Sequence, residues 1–267
     1  TINSTLPSPG LSTSDSGFFI DMEINPVNGN MYISYMDNGK ISVKEYIITQ
    51  PLSKYYVNKN FVGGNGSGDS WANSMSELSD ALDASGPTTA EIWVASGTYI
   101  PGTSTSDSFN LTINDLKIYG GFNGTESSIS DRDILANQTI LSGDINGDDG
   151  NTFGFFRSNT DRIDNSHNIV KVNANNVTID GFQINNGMAN GSGTLSYGAA
   201  IQYSDTSENP IIRNCQFKNN VGLTGGAIRV YFNVNTSMTI ENSYFYNNLS
   251  RYGSGLYLLV NSNRIVD

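Results

Sequence analysis

The sequence predicts an all-β chain whose larger part is a parallel β-helix, a solenoid of stacked turns. Three observations predict it. The stretch from Val177 to Val260 repeats on itself: the run Ile179–Asn186 matches Ile212–Asn219 and Ile240–Asn247. A second block follows each copy, Gly198-Ala199-Ala200-Ile201, then Gly225-Gly226-Ala227-Ile228, then Gly253-Ser254-Gly255-Leu256. The first blocks are offset by 33 and 28 residues and the second by 27 and 28, and a near-constant period of that size marks one structural unit per repeat. Within each copy, apolar and polar residues nearly alternate, as in a strand with one buried face. Ile179, Phe182 and Ile184 then face inward and Asp180 and Gln183 outward, with Gly181 as one extra residue at a bend. Finally, the chain holds 35 Asn and 28 Gly but only 15% charged residues. Both residues tolerate left-handed backbone, so this composition suits closely spaced turns.

Turns stacked at the strand spacing of about 4.8 Å put like residues over like. The expected inner ladders are Ile179/Ile212/Ile240, Phe182/Cys215/Ser243 and Ile184/Phe217/Phe245, with Asn186/Asn219/Asn247 at a corner.

Taken in order, the chain divides into residues 1–49 and 50–267. Thr1 to Gly17 is rich in Ser, Thr, Pro and Gly and reads as a linker. Three strand-like runs follow, Phe18–Ile24, Met31–Met36 and Ile41–Ile48. They are separated by Asn25-Pro26-Val27-Asn28-Gly29-Asn30 and by Asp37-Asn38-Gly39-Lys40. Asn-Gly between alternating hydrophobics signals a hairpin, so this part is a small antiparallel β-meander, similar to one blade of a propeller.

Gly63 to Gly68 is a turn and not a phosphate loop, because no Lys-Ser/Thr follows. Met75–Ala84 predicts the one helix. Ser74 as N-cap and Glu77 three residues on form a capping box, and Met75, Leu78, Ala81 and Leu82 make an apolar face. Its expected role is to cover the open N-terminal end of the β-helix. Strands are then expected at Glu91–Thr98, Phe109–Ile113 and Leu116–Tyr119, with a turn at Gly120-Gly121. Ile140-Leu141, Phe153–Phe156, Ile169–Val172 and Val177–Ile179 continue the wall. The chain is expected to be truncated at its C-terminal end, since it stops at Asp267 within what would be another turn.

Phe217-x-x-Asn220 with Gly225-Gly226-Ala227-Ile228, and Phe245-x-x-Asn248 with Gly253-Ser254-Gly255-Leu256, resemble the FxxN and GGA[ILV] repeats of polymorphic outer membrane proteins. The first copy departs, with Ile184 for Phe and Gly187 for Asn. Gly66-Ser67-Gly68-Asp69-Ser70-Trp71, Glu91–Tyr99, Ile118–Phe122 and Leu141-Ser142-Gly143-Asp144 resemble the start of right-handed β-helix proteins that Gram-negative bacteria secrete to their surface. The resemblance covers about Tyr56 to the C-terminus. It implies a right-handed, pectin lyase-like β-helix at an extracellular or outer-surface location, with secretion-machinery proteins as partners.

The composition narrows the chemistry. Net charge is −11, with 14 Lys and Arg against 25 Asp and Glu and no basic cluster, which argues against nucleic-acid binding. No run approaches the roughly 20 apolar residues that span a membrane. Cys215 is the single cysteine, so no intrachain disulfide is possible, and its inward position makes it a core residue.

Asp144, Asn146 and Asp148 offer oxygen ligands at alternate positions, the beginning of a calcium loop. The glycine falls one place late and the twelfth position is Phe155 instead of Glu, so a solvated acidic turn stands as the alternative. His167, the only histidine, is expected as a hydrogen-bonded turn residue. Asp131-Arg132-Asp133 reads as a local loop ion pair. Arg213 and Arg229 hold outward strand positions and are the candidate bases of a lyase, which would need carboxylates gathered around them. Tyr231, Tyr244 and Tyr246 are the candidate outward aromatics for a polysaccharide or host-surface ligand, with ladder packing as the alternative. The functional expectation is a non-catalytic surface β-helix, an adhesin or stalk. The alternatives are a polysaccharide lyase or hydrolase and a secretion passenger.

Overall fold

The computed structural model describes residues 19–24, 31–37, 40–46, 52–149, 162–232 and 237–260. The sequence-predicted linker, the turn over 25–30, Asn38-Gly39 and the strand Phe153–Phe156 fall outside these residues. The chain separates into two units, Thr1–Gln50 and Pro51–Asp267. In the first, Phe19–Ile24, Met31–Asp37 and Lys40–Tyr46 form a three-stranded antiparallel sheet in chain order.

The second unit is all-β, with parallel sheets and, among the described residues, one α-helix. Sheet A holds Lys54–Val57, Glu91–Ala95, Lys117–Phe122, Thr178–Asp180, Ile211–Arg213 and Thr239–Glu241, side by side in chain order. Sheet B holds Gly97–Tyr99, Thr139–Ser142, Phe182–Asn185, Gln216–Lys218 and Tyr244–Tyr246. Sheet C is short, with Met188–Ala189, Val221–Thr224 and Leu249–Tyr252. Sheet D holds Phe109–Leu111, Val170–Val172, Ile201–Tyr203, Ile228–Phe232 and Leu256–Val260. From Glu91 onward each pass of the chain contributes in turn to A, B and D, and from Met188 onward also to C between B and D.

Register follows the repeats. Ile179 pairs with Ile212, which pairs with Ile240, and Ile184 pairs with Phe217, which pairs with Phe245. The Phe217 and Phe245 rings stack at 4.6 Å between centroids. Ile118, Ile179, Ile184, Ile212, Phe217, Val170, Ile201 and Ile228 belong to one buried cluster that draws on sheets A, B and D. Cys215 lies wholly inside, where burial pushes its thiol up to about 12.

The corners explain the asparagines. Among the described residues, the non-glycine positions with positive φ are, apart from Asp115, all Asn: Asn176, Asn186, Asn209, Asn214, Asn219, Asn242 and Asn247. Asn is the side-chain-bearing residue that enters this region at least cost, because its short amide bonds locally. Here the amides also bond from one pass to the next: Asn219 Nδ2 donates to Asn186 Oδ1, Asn209 Nδ2 to Asn176 Oδ1, and Asn242 Nδ2 to Asn214 Oδ1. A second, buried ladder uses the Asn of the FxxN pattern. Asn220 Nδ2 donates to the Ile184 carbonyl and Asn248 Nδ2 to that of Phe217. The leading glycine of each second block has a separate cause. Gly198, Gly225 and Gly253 have φ of 56°, 69° and 64°, and a Cβ on any of them would collide with the carbonyl oxygen three residues ahead.

Three local expectations are corrected. The helix is Leu78–Ala84, begins after Glu77, and has no side-chain cap. Met75 instead bridges to Val57 in extended backbone, so Ser74 lies too far from the helix for a capping box, and its Oγ is buried without a partner. Leu78 and Ala81 still bury fully in the main core. A capping box does form at Ser128 and Asp131, on a short 3-10 turn.

Gly120-Gly121 is not a turn. Both lie inside Lys117–Phe122, where the pairing with Glu91–Ala95 shifts register. The shift carries Phe122 to the outer face, where it stacks on Trp93 at 4.7 Å in a second cluster with Trp71 and Tyr56.

Arg132 does not pair within its loop. Its guanidinium, 8% exposed, reaches Asp180 Oδ1 at 3.4 Å and donates to the Gly120 carbonyl at 3.0 Å. Asp131 and Asp133 accept from backbone N–H groups instead.

Candidate functional site

The outward positions of sheet D carry the most chemistry. Val170 and Val172 point into the core, so Lys171 between them points out, and the same alternation turns Gln202 and Arg229 outward. Lys171 is in register with Gln202, and Gln202 with Arg229. These three form the floor of a cleft of about 410 Å³, which is within the usual range for small-ligand sites. Ser204, Asp205 and Thr206, in the turn that follows the third strand of sheet D, make one wall. Thr194 stands on the other.

That second wall has a traceable origin. Thirteen residues lie between Ile184 and Gly198, against seven between Phe217 and Gly225 in the next pass. The excess is spent on the segment containing the 3-10 turn Gly193–Ser196, which raises Thr194 and Tyr197 beside the sheet.

Arg229 is fixed from several sides. Its Nη1 donates to Asp205 Oδ1 at 2.9 Å, and its guanidinium lies 5.1 Å from the Tyr197 ring centre and 5.7 Å from that of Tyr231. Gly198 and Gly225 pass so close to its backbone and Cβ that only glycine fits beside it. Lys171 is held differently. It is half-buried, and among the described residues its ammonium has no hydrogen bond and no carboxylate within 4.0 Å. Desolvation lowers its pKa, opposed only by the more distant charge of Asp107. Gln202 is 9% exposed, and its amide has no hydrogen-bond partner among the described residues.

The expected aromatic contacts do not form one surface. Tyr231 is on sheet D, where it flanks Arg229, while Tyr244 and Tyr246 are on sheet B. Tyr244 is 67% and Tyr246 41% exposed, and Tyr246 lies 5.7 Å from the Lys218 ammonium beneath it. Tyr203, on the strand carrying Gln202, points inward and is fully buried. Of the two candidate arginines, Arg213 pairs with Glu241 at 2.9 Å on an open surface, and Arg229 is in the cleft.

The acidic loop gathers differently from its spacing. Carboxylate oxygens of Asp144, Asp148 and Asp164 lie within 4.8 Å of one another, while Asn146 is exposed and contributes its backbone N–H to Asp164. Asp144 accepts the N–H groups of Gly147, Asp148 and Asp149, so loop backbone already stabilises its charge. Beside it Asp149 is nearly enclosed, 3.9 Å from Arg162, and desolvation pushes its pKa up to about 6. His167 is a hydrogen-bonded turn residue, its Nδ1 3.1 Å from the Met188 carbonyl oxygen.

Sequence reasoning singled out Arg229 but missed Lys171 and Gln202. The signal was there: Lys171, Gln202 and Arg229 each follow the inward residue that ends an Ile169-Val170, Ala200-Ile201 or Ala227-Ile228 block. Comparison with family models, curated proteins and solved structures finds no match. No helix among the described residues is long and apolar enough to cross a membrane.

Proposed function

We propose that residues 51–267 wind as a right-handed parallel β-helix, covered at its start by the helix Leu78–Ala84. It stands outside the cell or on its outer surface and binds glycan there without cleaving it, as an adhesin or stalk. The observation that carries this reading is the cleft on sheet D. Its floor is a ladder of Lys, Gln and Arg at strand spacing, its walls bear hydroxyls, and aromatic rings flank Arg229. Amides, hydroxyls and aromatic faces are the groups that hold sugar rings. Among the described residues Asp205 is the one carboxylate lining the cleft, and it is paired with Arg229, whereas glycoside hydrolysis uses two facing carboxyl groups.

One observation favours a second reading. A lysine whose pKa is lowered by desolvation, in one cleft with an arginine two strands away, is the kind of base that eliminates across a uronate ring. A polysaccharide panel separates the two, followed by ultraviolet absorbance of unsaturated products, by reducing ends, and by binding on a glycan array. Binding without products supports the adhesive reading, products absent from a Lys171→Met variant support the lyase, and silence on every glycan overturns both.

A further inference from the structure

We propose that the cleft on sheet D recognises an acidic glycan, and that Lys171 is the residue that holds its anionic group, a carboxylate or a sulfate ester. The inference rests on the glycan-binding reading above and adds the ligand's charge and the residue that reads it.

The argument turns on which of the two cations in the cleft is available. Arg229 is engaged: Asp205 neutralises it at 2.9 Å, and two tyrosine rings lie beside its guanidinium. An anion approaching it would have to displace a salt bridge already made. Among the described residues Lys171 has no such partner, and desolvation already disfavours its charge. Half-burying an ammonium costs free energy unless something compensates it, and a ligand anion in the cleft is the compensation the geometry allows. The chain carries a net charge of −11, so a free cation in a cleft is not part of a general basic surface.

Gln202 adds the second half. It stands between Lys171 and Arg229 in register, nine-tenths buried, with its amide unpartnered among the described residues. An amide offers both donors and an acceptor, which matches a sugar hydroxyl and not a lone anion. Lys171 and Arg229 are two strand spacings apart, about 9.6 Å. Two successive sugar rings span that distance. One would then place its anion on Lys171 and its hydroxyls on Gln202, while its neighbour lies against the Tyr197 and Tyr231 edge.

The test is calorimetric binding by the whole chain of three oligosaccharides. One is a uronate oligomer, one its carboxyl-reduced neutral counterpart, and one a neutral-backbone oligomer bearing sulfate esters. The same titrations are run on Lys171→Met and Lys171→Arg, with thermal unfolding as the check on folding. The expected result is at least tenfold tighter binding of the uronate oligomer or the sulfated oligomer than of the neutral one. That preference is abolished in Lys171→Met and retained in Lys171→Arg, and which anionic arm binds identifies the source. Equal binding of charged and neutral oligomers, or a preference that survives in folded Lys171→Met, overturns the inference and leaves the glycan reading intact. Binding of no glycan overturns the glycan reading, and the inference falls with it.

Discussion

The side-chain oxygen of Asn220 accepts the backbone N–H of Gly187, 33 residues earlier in the chain, at 3.0 Å and wholly out of water. The same amide donates to the Ile184 carbonyl, so one side chain satisfies two backbone groups of the preceding pass. Replacing Asn220 with Ala leaves a buried donor and a buried acceptor unmet. The expected loss is at least about 2 kcal/mol in denaturant unfolding, since each such group costs roughly 1–3 kcal/mol. Asn110→Ala, on the exposed side of sheet D, is expected to stay within about 0.5 kcal/mol.

Arg132 and Asp180 form the buried charge pair of the loop that covers sheet A. Arg132→Met removes the cation from the Asp180 carboxylate, which keeps the Asn214 Nδ2 hydrogen bond at 2.9 Å, and is expected to cost about 3 kcal/mol. Adding Asp180→Leu to that variant removes the stranded charge and recovers a large part of the loss. A double-mutant cycle reads this directly, and simple additivity of the two single variants would contradict it.

Asp149 sets a pH dependence of definite sign. Its folded pKa, about 6, lies above the ordinary 3.8 because desolvation outweighs the attraction of Arg162 and the Asn165 hydrogen bond. Between those values the folded chain binds more protons than the unfolded one, so stability falls as pH rises through the window and is flat above it. The stability difference between the natural chain and Asp149→Asn is expected to change by up to about 3 kcal/mol across pH 3.8 to 6. A difference that stays level with pH would place the carboxylate in water.

Ser74 distinguishes the observed helix start from the one its sequence signals. In a capping box, Ser74→Ala would cost about 1 kcal/mol. With its Oγ buried and unpartnered, the substitution is expected to be neutral or slightly stabilising in thermal unfolding.

Gly225 and Gly66 share a left-handed backbone, with φ of 69° and 70°, but not their surroundings. Ala at Gly66 meets open space and is expected to cost about 1 kcal/mol from backbone conformation alone. Ala at Gly225 also drives its Cβ into the Ile228 carbonyl, so its loss of stability is expected to be clearly larger. Equal losses would show that conformation and not contact keeps the glycine.

What was legible in the sequence follows from how local each cause is. The inner ladders Ile179/Ile212/Ile240 and Ile184/Phe217/Phe245 were readable because a large apolar side chain fills the same place in successive passes. The partner of Arg132 was not, because two nearer aspartates offered themselves and the actual one is 48 residues away. The start of the helix was misread because Ser74 and Glu77 satisfy a local rule that pairing of Met75 with Val57 overrides. In the cleft, Arg229 was visible as an outward position, but the isolation of Lys171 depends on what surrounds it in space.

The longer link between Ile184 and Gly198 separates the wall of the cleft from the scaffold that carries its floor. Thr194 and Tyr197 come from that link, while the floor beneath them comes from a pattern shared by three successive passes. A lineage could therefore exchange one short segment and meet a new target while inheriting its architecture unaltered. Selection on recognition and selection on folding would then act on different residues.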